Sequence, residues 1–399
     1  MTRADSGSSD GLMTKPTNAI FSALGTTIFT VMSQLATSHR AINLGQGFPD
    51  GNGPEDMRAQ AARFLSDQPN QYPPMLGVPE LRQAVAAHAE RFYDLDVAWQ
   101  GEVMVTSGVT EALAACLLGL INPGDEVVLI EPLYDSYVPI VRLAGGIPKC
   151  VRLAPPHWDL PHEALTAAFS AKTKAIVLKS PMNPIGKVFT REELTFIAGL
   201  VARFDAYAIC DEVYEHMTSA KRPHIPLMTL PGMRTRCLRI GSAGKTFSLT
   251  GWKVGYVTAA PALLQAAAKT HQFLTFTTPP NLQRAVAYGL EKDDAYFSDL
   301  ASTLQAKHDL LAAGLREIGF TVLESDGTYF VTADFAVFGF DGDDVAFCRH
   351  LTTEAGVAAI PVSAFYESDA PKTLIRFAFC KSDDVLIEAL TRLTRHFKR

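Results

Sequence analysis

The chain has 399 residues, of which 47% are hydrophobic and 20% charged, and its formal net charge is -6 at pH 7. The length predicts two domains, and the composition is typical of a folded chain with a sizeable core, not of a disordered one. The acidic balance gives no global attraction for nucleic acid or an anionic membrane, and no run approaches the ~20 apolar residues of a membrane-spanning helix.

Most of the chain alternates short apolar runs with longer amphipathic ones. Residues 1–17 are small and polar, so we expect disorder there and no secretory signal. Helical spacing follows over 19–38, then the glycine-rich loop NLGQGFPDGNGP. The next predicted helices are Glu55–Ser66, Pro79–Tyr93, 111–121 and 191–204, and the predicted strands are Val103–Thr106, Val127–Ile130, Ala175–Leu178, Ala206–Cys210 and Leu238–Ile240. This alternation predicts an α/β fold with a mostly parallel sheet covered on both faces, and a ligand site at the carboxyl ends of its strands.

The pattern changes after about Pro280. A long helical pattern runs from Gln283 to Gly314, and FTVLESDGTYFVTADF predicts strands around a turn. A further strand, IRFAF, precedes a closing helix. This α+β character predicts a second, smaller domain.

Cysteine and histidine usage points away from disulfides and metals. The six cysteines lie far apart, mostly in apolar runs, which favours reduced, buried thiols in a cytoplasmic protein. Neither HExxH nor CxxC occurs, and the ten histidines are scattered, so we expect no metal site.

The stretch GSAGKTFSLTGWKVGY, residues 241–256, contains a lysine among small residues. A P-loop requires a glycine six residues before that lysine, and Arg239 stands there, so a nucleotide loop is excluded. In a pocket, the pKa of Lys245 can fall and its amine can form a Schiff base with a carbonyl. Ser242 and Lys253 could then bind an anion. Taken alone, the stretch is more typical of surface lysines in a turn.

Three other polar stretches follow predicted strands. TSGVTE, residues 106–111, offers the free amides of a helix N-terminus to an anion, or is an ordinary helix start. Asn183 in SPMNPIG faces a ligand or forms a turn. Asp211 in CDEVYEH, with Tyr214 three residues on, holds a proton on a buried ring nitrogen or caps a helix. Together with Lys245, these are the groups that a pyridoxal phosphate (PLP) site needs.

On these motifs the sequence resembles the class I/II aminotransferases of PLP fold type I, which are aspartate aminotransferase-like. The resemblance extends from about Gly25 to the C-terminus and includes GTTIFTVMSQLA, NLGQGFPD, NQYPPMLGVPELRQAV, EPLYDSY, SPMNPIGKV, CDEVYEH and IRFAF. NLGQGFPD and SAGKTFSLTGWKVGY are similar to kynurenine, glutamine and methionine aminotransferases. TSGVTEAL, EPLYDSY and AAIPVSAF also resemble N-succinyldiaminopimelate aminotransferases. The resemblance implies a large PLP-binding domain at 49–293 and a small domain formed by 18–48 and 294–399, with NLGQGFPD closing over the site.

The resemblance also implies roles for individual residues in catalysis. Lys245 would hold the cofactor as a Schiff base and act as general acid and base. Asp211 would pair with the pyridinium nitrogen, while Asn183 and Tyr214 would hydrogen-bond the ring 3-oxygen. Tyr134 would stack on the ring. The catalytic set is therefore Lys245, Asp211 and Tyr214.

The remaining implied residues bind the phosphate and the substrate. The phosphate would be held by Gly108, Val109, Thr110, Ser242 and Lys253, with Tyr72 reaching it from the other subunit of a homodimer. Many relatives carry arginine where Lys253 stands, and Val109 can contribute only its backbone amide. Arg376 would clamp the substrate carboxylate through two parallel hydrogen bonds, beside Asn183 and Gly47.

The sequence therefore predicts a cytoplasmic, PLP-dependent aminotransferase with a ping-pong mechanism and no membrane or nucleic-acid partner. Four aromatic residues, Phe48, Tyr72, Tyr134 and Tyr366, favour aromatic or sulfur-containing amino acids, or glutamine- and kynurenine-like ones, with a 2-oxo acid as acceptor. The alternatives are an N-succinyldiaminopimelate aminotransferase and a cysteine-conjugate β-lyase. A PLP-binding regulator fused to a DNA-binding module is disfavoured by the negative charge and by a match that begins near Gly25.

Overall fold

The computed structural model describes residues 15–398. Most of the segment 1–17 that we expect to be disordered lies outside them, and residues 15–17 are exposed and outside any helix. The N-terminal elements are α1 (Ala19–Ser22), α2 (Ile28–His39) and β1 (Ile42–Asn43). The single helix predicted over 19–38 is thus wrong. The chain starts a new helix at Ile28 because the Thr27 side chain accepts a hydrogen bond from the Thr30 amide, which caps α2.

A seven-stranded sheet forms the centre of the large domain. Its strands are β2 (Val103–Thr106), β3 (Glu126–Glu131), β4 (Ile147–Arg152), β5 (Thr173–Lys179), β6 (Tyr207–Asp211), β7 (Cys237–Ser242) and β8 (Gly255–Ala259). The strand order is β2-β8-β7-β6-β5-β3-β4. β8 alone among these seven strands runs in the direction opposite to the other six, which confirms the mostly parallel sheet.

Helices cover both faces of this sheet, as the continuous apolar strands predict. They are α3 (Glu55–Asp67), α4 (Pro79–Tyr93), α5 (Trp99–Glu102), α6 (Val109–Leu120), α7 (Tyr137–Leu143), α8 (His162–Ala168), α9 (Arg191–Arg203), α10 (Ala243–Thr246), α11 (Pro261–Leu274) and α12 (Pro280–Leu290). Alternate residues of β5 belong to different hydrophobic cores. Ile176 and Leu178 pack with residues from α4, α9 and α12, whereas Val177 packs with α6, α7 and α11.

The small domain is built around a four-stranded antiparallel sheet. Its elements are α13 (Asp294–Ile318), β9 (Thr321–Val322), β10 (Phe330–Asp334), α14 (Asp344–His350), β11 (Val357–Ala358), β12 (Ile360–Pro361), β13 (Leu374–Ala378) and α15 (Asp383–Phe397). The strand order is β12-β13-β10-β9, and β1 pairs separately with β11. The long helix predicted over 283–314 is two helices, since α12 ends at Leu290 and Asp293, which precedes α13, has the non-helical angles φ -58° and ψ 156°. The domain boundaries stay a prediction.

The parallel strands β5, β6 and β7 end at one edge of the large sheet. Lys179 is the last residue of β5, Asp211 of β6 and Ser242 of β7. β2, which runs in the same direction because β8 is antiparallel to both β2 and β7, ends there with Thr106. The loops that follow these strands therefore converge, and they carry most of the polar motifs. Among residues 15–398, no helix is both long and apolar enough to span a bilayer.

Candidate active site

A cavity of about 320 Å³ lies at this edge of the large sheet. All but one of the predicted site residues line it: Gly47, Gly108, Val109, Thr110, Tyr134, Asn183, Asp211, Tyr214, Ser242, Lys245, Lys253 and Arg376. The exception is Tyr72, whose side chain is 83% exposed and contacts the Phe276 ring edge-on. The structure thus brings together residues that are up to 329 positions apart in the chain, from Gly47 to Arg376.

Lys245 projects into the cavity from α10, the short helix that directly follows β7. Its amine donates a hydrogen bond to the Tyr329 hydroxyl at 2.9 Å. Burial and, to a smaller extent, the neighbouring Lys179 cation lower the pKa of Lys245 to about 8. About a tenth of this amine is therefore neutral at pH 7, whereas a lysine with the ordinary pKa is almost wholly protonated there. The neutral form is the one that a nucleophile or a base requires.

Asp211 is 1% exposed, and its two carboxylate oxygens differ. Oδ2 accepts hydrogen bonds from the Lys179 amine, at 2.8 Å, and from the Tyr137 hydroxyl. Oδ1 is buried without a hydrogen-bond partner. A buried carboxylate oxygen with no donor is costly unless a ligand supplies one.

One end of the cavity carries the features of an anion site. Gly108 precedes α6 with φ 79°, a conformation that favours glycine, so that Val109 and Thr110 occupy the first turn. Amides in the first turn of a helix have no carbonyl partner within it and carry the positive end of the helix dipole. The Ser242 hydroxyl and the Lys253 cation line the same cavity.

Arg376 lies in β13, a central strand of the small sheet, and its side chain is almost fully buried. Its guanidinium donates to Asn183 Oδ1 at 2.8 Å and to the Gly45 carbonyl at 2.6 Å. It also lies 3.9 Å from the Phe330 ring centroid, while Nε has no partner. Burial lowers the pKa of Arg376 to about 10, so the group stays charged at neutral pH. The unused Nε donor suits an anionic ligand.

The NLGQGFPD segment packs directly over the cavity. The Gly47 carbonyl accepts a hydrogen bond from the Tyr329 hydroxyl, the group that also contacts Lys245. A Cβ atom on Gly47 would lie 2.6 Å from the Phe330 ring, so only glycine fits here without displacing that ring. The Lys381 amine donates to the Phe48 carbonyl and so ties the segment to the small domain.

Several lining or contacting residues were not among the predicted site residues, although Tyr137 ends the motif EPLYDSY. Lys179 and Tyr137 hold Asp211, and Tyr329 joins Lys245 to the segment above it. Their positions result from strand register and tertiary packing. The prediction that four aromatic residues form the substrate pocket is partly wrong, because only Tyr134 of the four lines the cavity. Phe48 and Tyr72 point to solvent, and Tyr366 packs beside Arg152. The other aromatic residues that line the cavity include Phe29 and Phe330.

The donor set fits PLP. The cofactor's protonated ring nitrogen matches the unpaired Asp211 Oδ1, its aldehyde matches the Lys245 amine, and its phosphate matches the amides and cation at the α6 end. Besides the anion site at one end, the cavity contains the buried Arg376, whose guanidinium can bind a carboxylate, so the cavity also suits an amino acid.

Comparison with known proteins agrees with this fit. The family model for aminotransferase class I and II matches residues 39–393. A probable N-succinyldiaminopimelate aminotransferase of Mycobacterium tuberculosis is 43% identical over 92% of this chain and 96% of its own length. A kynurenine–oxoglutarate transaminase of Dictyostelium discoideum is 38% identical over 94% of this chain and 95% of its own. The solved structure of Escherichia coli YbdL, reported with a methionine aminotransferase function, has a TM-score of 0.93 and 38% identity, covering 96% of this chain and all of that one.

The chain belongs to the class I and II aminotransferases. It has the aspartate aminotransferase-like fold and is a PLP-dependent transaminase. The predicted fold class, family, cofactor and type of reaction are thereby confirmed, whereas the roles of single residues stay predictions.

Proposed function

We propose that the cavity binds PLP through Lys245 and moves the amino group of an aromatic, sulfur-containing or glutamine- and kynurenine-like L-amino acid to a 2-oxo acid, by a ping-pong mechanism. The observation that carries this proposal is the shared cavity of Lys245, with its lowered pKa, and Asp211, with its unpaired Oδ1. When bound, PLP supplies an aldehyde for the amino group and a ring that accepts electrons from the substrate α-carbon.

The proposed roles of the chain's own residues follow from their contacts. Lys245, once its amine is free, takes the proton from the substrate α-carbon and returns it later, which its lowered pKa favours. Asp211 Oδ1 accepts a hydrogen bond from the cofactor ring and keeps its nitrogen protonated. Asn183 and Tyr214 orient the ring, and Tyr134 packs against its face. Val109, Thr110, Ser242 and Lys253, with Gly108 at the helix start, hold the phosphate.

Arg376 binds the substrate carboxylate. Its contacts with Asn183 and Gly45 fix the plane of the guanidinium, and Phe330 supports one face. Gly47 lets the segment above approach closely. Because Phe29, Tyr134 and Phe330 line the cavity, an apolar or aromatic substrate side chain can be buried there.

An N-succinyldiaminopimelate aminotransferase is the second candidate, supported by the 43% identical Mycobacterium relative with that name. Such a substrate has additional carboxylates and requires a further cation. The described lysines and arginines of the cavity are Lys179, Lys245, Lys253 and Arg376, and each has another proposed partner. This argument favours the first candidate.

We also propose a homodimer in the cytoplasm. Tyr72 lies outside its own cavity and is highly exposed, as is Phe273 at 85%, so these side chains are available to a second copy. In that arrangement Tyr72 reaches the phosphate of the partner subunit. The location is supported by six free cysteines, five of them buried, as in a reducing compartment.

The test is to locate the cofactor chemically. We expect PLP to give the purified protein an absorbance band that borohydride reduction makes permanent, and peptide mapping to find the adduct on Lys245, not on the nearby Lys179. Lys245→Ala should remain folded and lose turnover. Full activity in that variant, or an adduct on another residue, would contradict the assignment.

Single amino acids, added without an oxo acid, then rank the substrates. We expect methionine, phenylalanine, glutamine or kynurenine to bleach the band, and a 2-oxo acid to restore it. Bleaching by N-succinyldiaminopimelate alone would select the second candidate. Release of pyruvate and ammonia from cysteine conjugates, without any acceptor, would identify a β-lyase.

A further inference from the structure

Lys179 is a second buried lysine in the cavity, and no sequence motif gives it a role. It is the last residue of β5, and its register partner on β6 is Asp211. The two side chains are 6% and 1% exposed, and the amine lies 2.8 Å from Asp211 Oδ2. A buried ammonium group is unfavourable unless it is paired, so this pair forms a defined part of the cavity floor.

The pair determines which oxygen of Asp211 remains available. Oδ2 accepts both the Lys179 amine and the Tyr137 hydroxyl, and Oδ1 accepts nothing. Two donors on one oxygen restrict rotation of the carboxylate. Oδ1 is therefore held as the acceptor for a ligand, with little reorganisation needed on binding.

Aromatic rings surround the Lys179 amine. It lies 5.0 Å from the centroid of the Tyr134 ring, 5.6 Å from that of Tyr214 and 5.9 Å from that of Tyr137. Aromatic faces attract cations within about 6 Å of the ring centroid. These three rings and the Asp211 carboxylate therefore form the surroundings of the Lys179 amine.

Resting on the proposed function of the cavity, we propose that Lys179 is a positioning residue for Asp211 and a fixed positive charge beside the Lys245 amine. It does not exchange protons with the substrate. It leaves Oδ1 for the cofactor ring, and it disfavours a second positive charge on the nitrogen of Lys245.

Other charged and titratable groups lie near the Lys245 amine or line the same cavity. They are Asp211 on β6, Lys253 after β7, Asp135 after β3, Arg376 on β13, Cys380 after it, and the phenols of Tyr134, Tyr214 and Tyr329. After burial, Lys179 has the largest effect on the pKa of Lys245, and it lowers it. Removal of this one cation should therefore raise the pH at which the Lys245 nitrogen loses its proton.

The test is a pH titration of the absorbance band of the PLP-loaded enzyme. In Lys179→Gln the side chain can still donate to Asp211 but has no charge, and we expect the midpoint to rise by about one pH unit or more. Lys179→Met should shift it in the same direction. Lys179→Arg, which keeps the charge, should leave the midpoint near that of the wild type.

Lys187→Met is the matched control. Lys187 is 11% exposed and pairs with Glu193 at 2.7 Å, but it does not line the cavity. An unchanged midpoint in a folded, PLP-loaded Lys179→Gln, or an equal shift in Lys187→Met, would overturn the proposal. If Lys179→Met fails to fold, Lys179→Gln and Lys179→Arg still decide between the outcomes. A cofactor found elsewhere than on Lys245 would instead overturn the proposed function itself.

Discussion

At the scale of residues, the chemistry of the cavity depends on buried charges that compensate one another. Asp211 has Lys179 as its cationic partner, whereas Arg376 is held by neutral acceptors on Asn183 and Gly45. Each of these groups is largely removed from water, where charge interactions are stronger than at the surface. Loss of one partner should therefore affect both stability and catalysis, and the two effects can be separated.

Asp211→Leu should lower kcat/KM by at least about 100-fold, because it removes the acceptor for the cofactor ring. In the protein without PLP it should also lower the free energy of unfolding by about 3–5 kcal/mol, since Lys179 is left buried and unpaired. Urea denaturation measures the second effect.

The double variant Asp211→Leu with Lys179→Met separates the effect on catalysis from the effect on stability. It should recover most of the stability, because Lys179 is no longer left as a buried, unpaired charge, and none of the activity. Glu193→Gln, which breaks the Lys187 pair outside the cavity, is the control and should keep its activity. Recovery of activity in the double variant would contradict the role proposed for Asp211.

Gly47→Ala tests the segment above the cavity. Its Cβ would lie 2.6 Å from the Phe330 ring, which supports Arg376, so the ring or the segment must move. We expect kcat/KM to fall about 10-fold or more, since small displacements of positioning groups are costly. Gly51→Ala is the matched control, because no atom lies within 4 Å of its Cβ position and its activity should not change. Equal effects of Gly47→Ala and Gly51→Ala would contradict close packing of the segment against the Phe330 ring.

At the scale of elements, helix α4 is joined to the loop after β6 by a buried polar network. His88 of α4 lies 2.7 Å from His216 between their Nε2 atoms, and both lie near Glu215. Glu215 accepts hydrogen bonds from Arg239 and Tyr93, and the Arg239 cation contributes to holding its pKa well below the usual range. Burial lowers the pKa of His88 to about 3 and of His216 to about 4.

From the lowered pKa values of His88 and His216 we expect the free energy of unfolding to fall in mild acid. Their pKa in the unfolded chain is about 6.5, so below that pH the unfolded chain binds protons that the folded protein does not. The histidines therefore leave the free energy of unfolding unchanged above pH ~6.5, and they lower it progressively as the pH falls towards the folded pKa values. By about pH 5, His88 alone should have lowered the free energy of unfolding by about 2 kcal/mol.

Urea denaturation at several pH values checks this dependence. In His88→Leu the slope of stability against pH should be smaller than in the wild type. His157→Leu, at an exposed position, should leave the slope unchanged. A wild-type stability that is constant between neutral pH and pH ~5 would contradict the lowered pKa values.

At the scale of the whole molecule, the proposed dimer makes each active site a shared one. In a mixed dimer of one Lys245→Ala subunit and one Tyr72→Ala subunit, both substitutions fall in the same active site, so one of the two sites has both defects and the other has none. With random mixing, roughly a quarter of all sites should be intact, because half of the dimers are mixed. Turnover at limiting PLP, after the two variants are unfolded and refolded together, measures the recovery.

No recovery in that mixture, with subunit exchange shown by mass spectrometry, would place Tyr72 outside the partner's site. Sedimentation of the wild type supplies the independent readout. A species of the 43.3 kDa chain mass at working concentrations would contradict the dimer.

Much of the fold and the family could be predicted from local patterns. The continuous apolar strands β2, β3, β5, β6 and β7 and the amphipathic α9 are strong signals, because burial on both faces or on one face leaves a period in the sequence. β4 and β8 were not predicted. β4 is largely accessible at the edge of the sheet, and the apolar run of β8 continues almost directly into the apolar start of α11.

The sequence by itself determined the class of protein, the PLP cofactor and the candidate lysine, since motifs such as GSAGKTFSLTGWKVGY and CDEVYEH record local chemistry. Only the tertiary structure decided which residues meet. Lys179 faces Asp211 through the β5–β6 register, and Tyr329 reaches Lys245 across 84 positions. The physical reason is that pairing of buried charges and close packing depend on distance in space, which short-range sequence patterns do not encode.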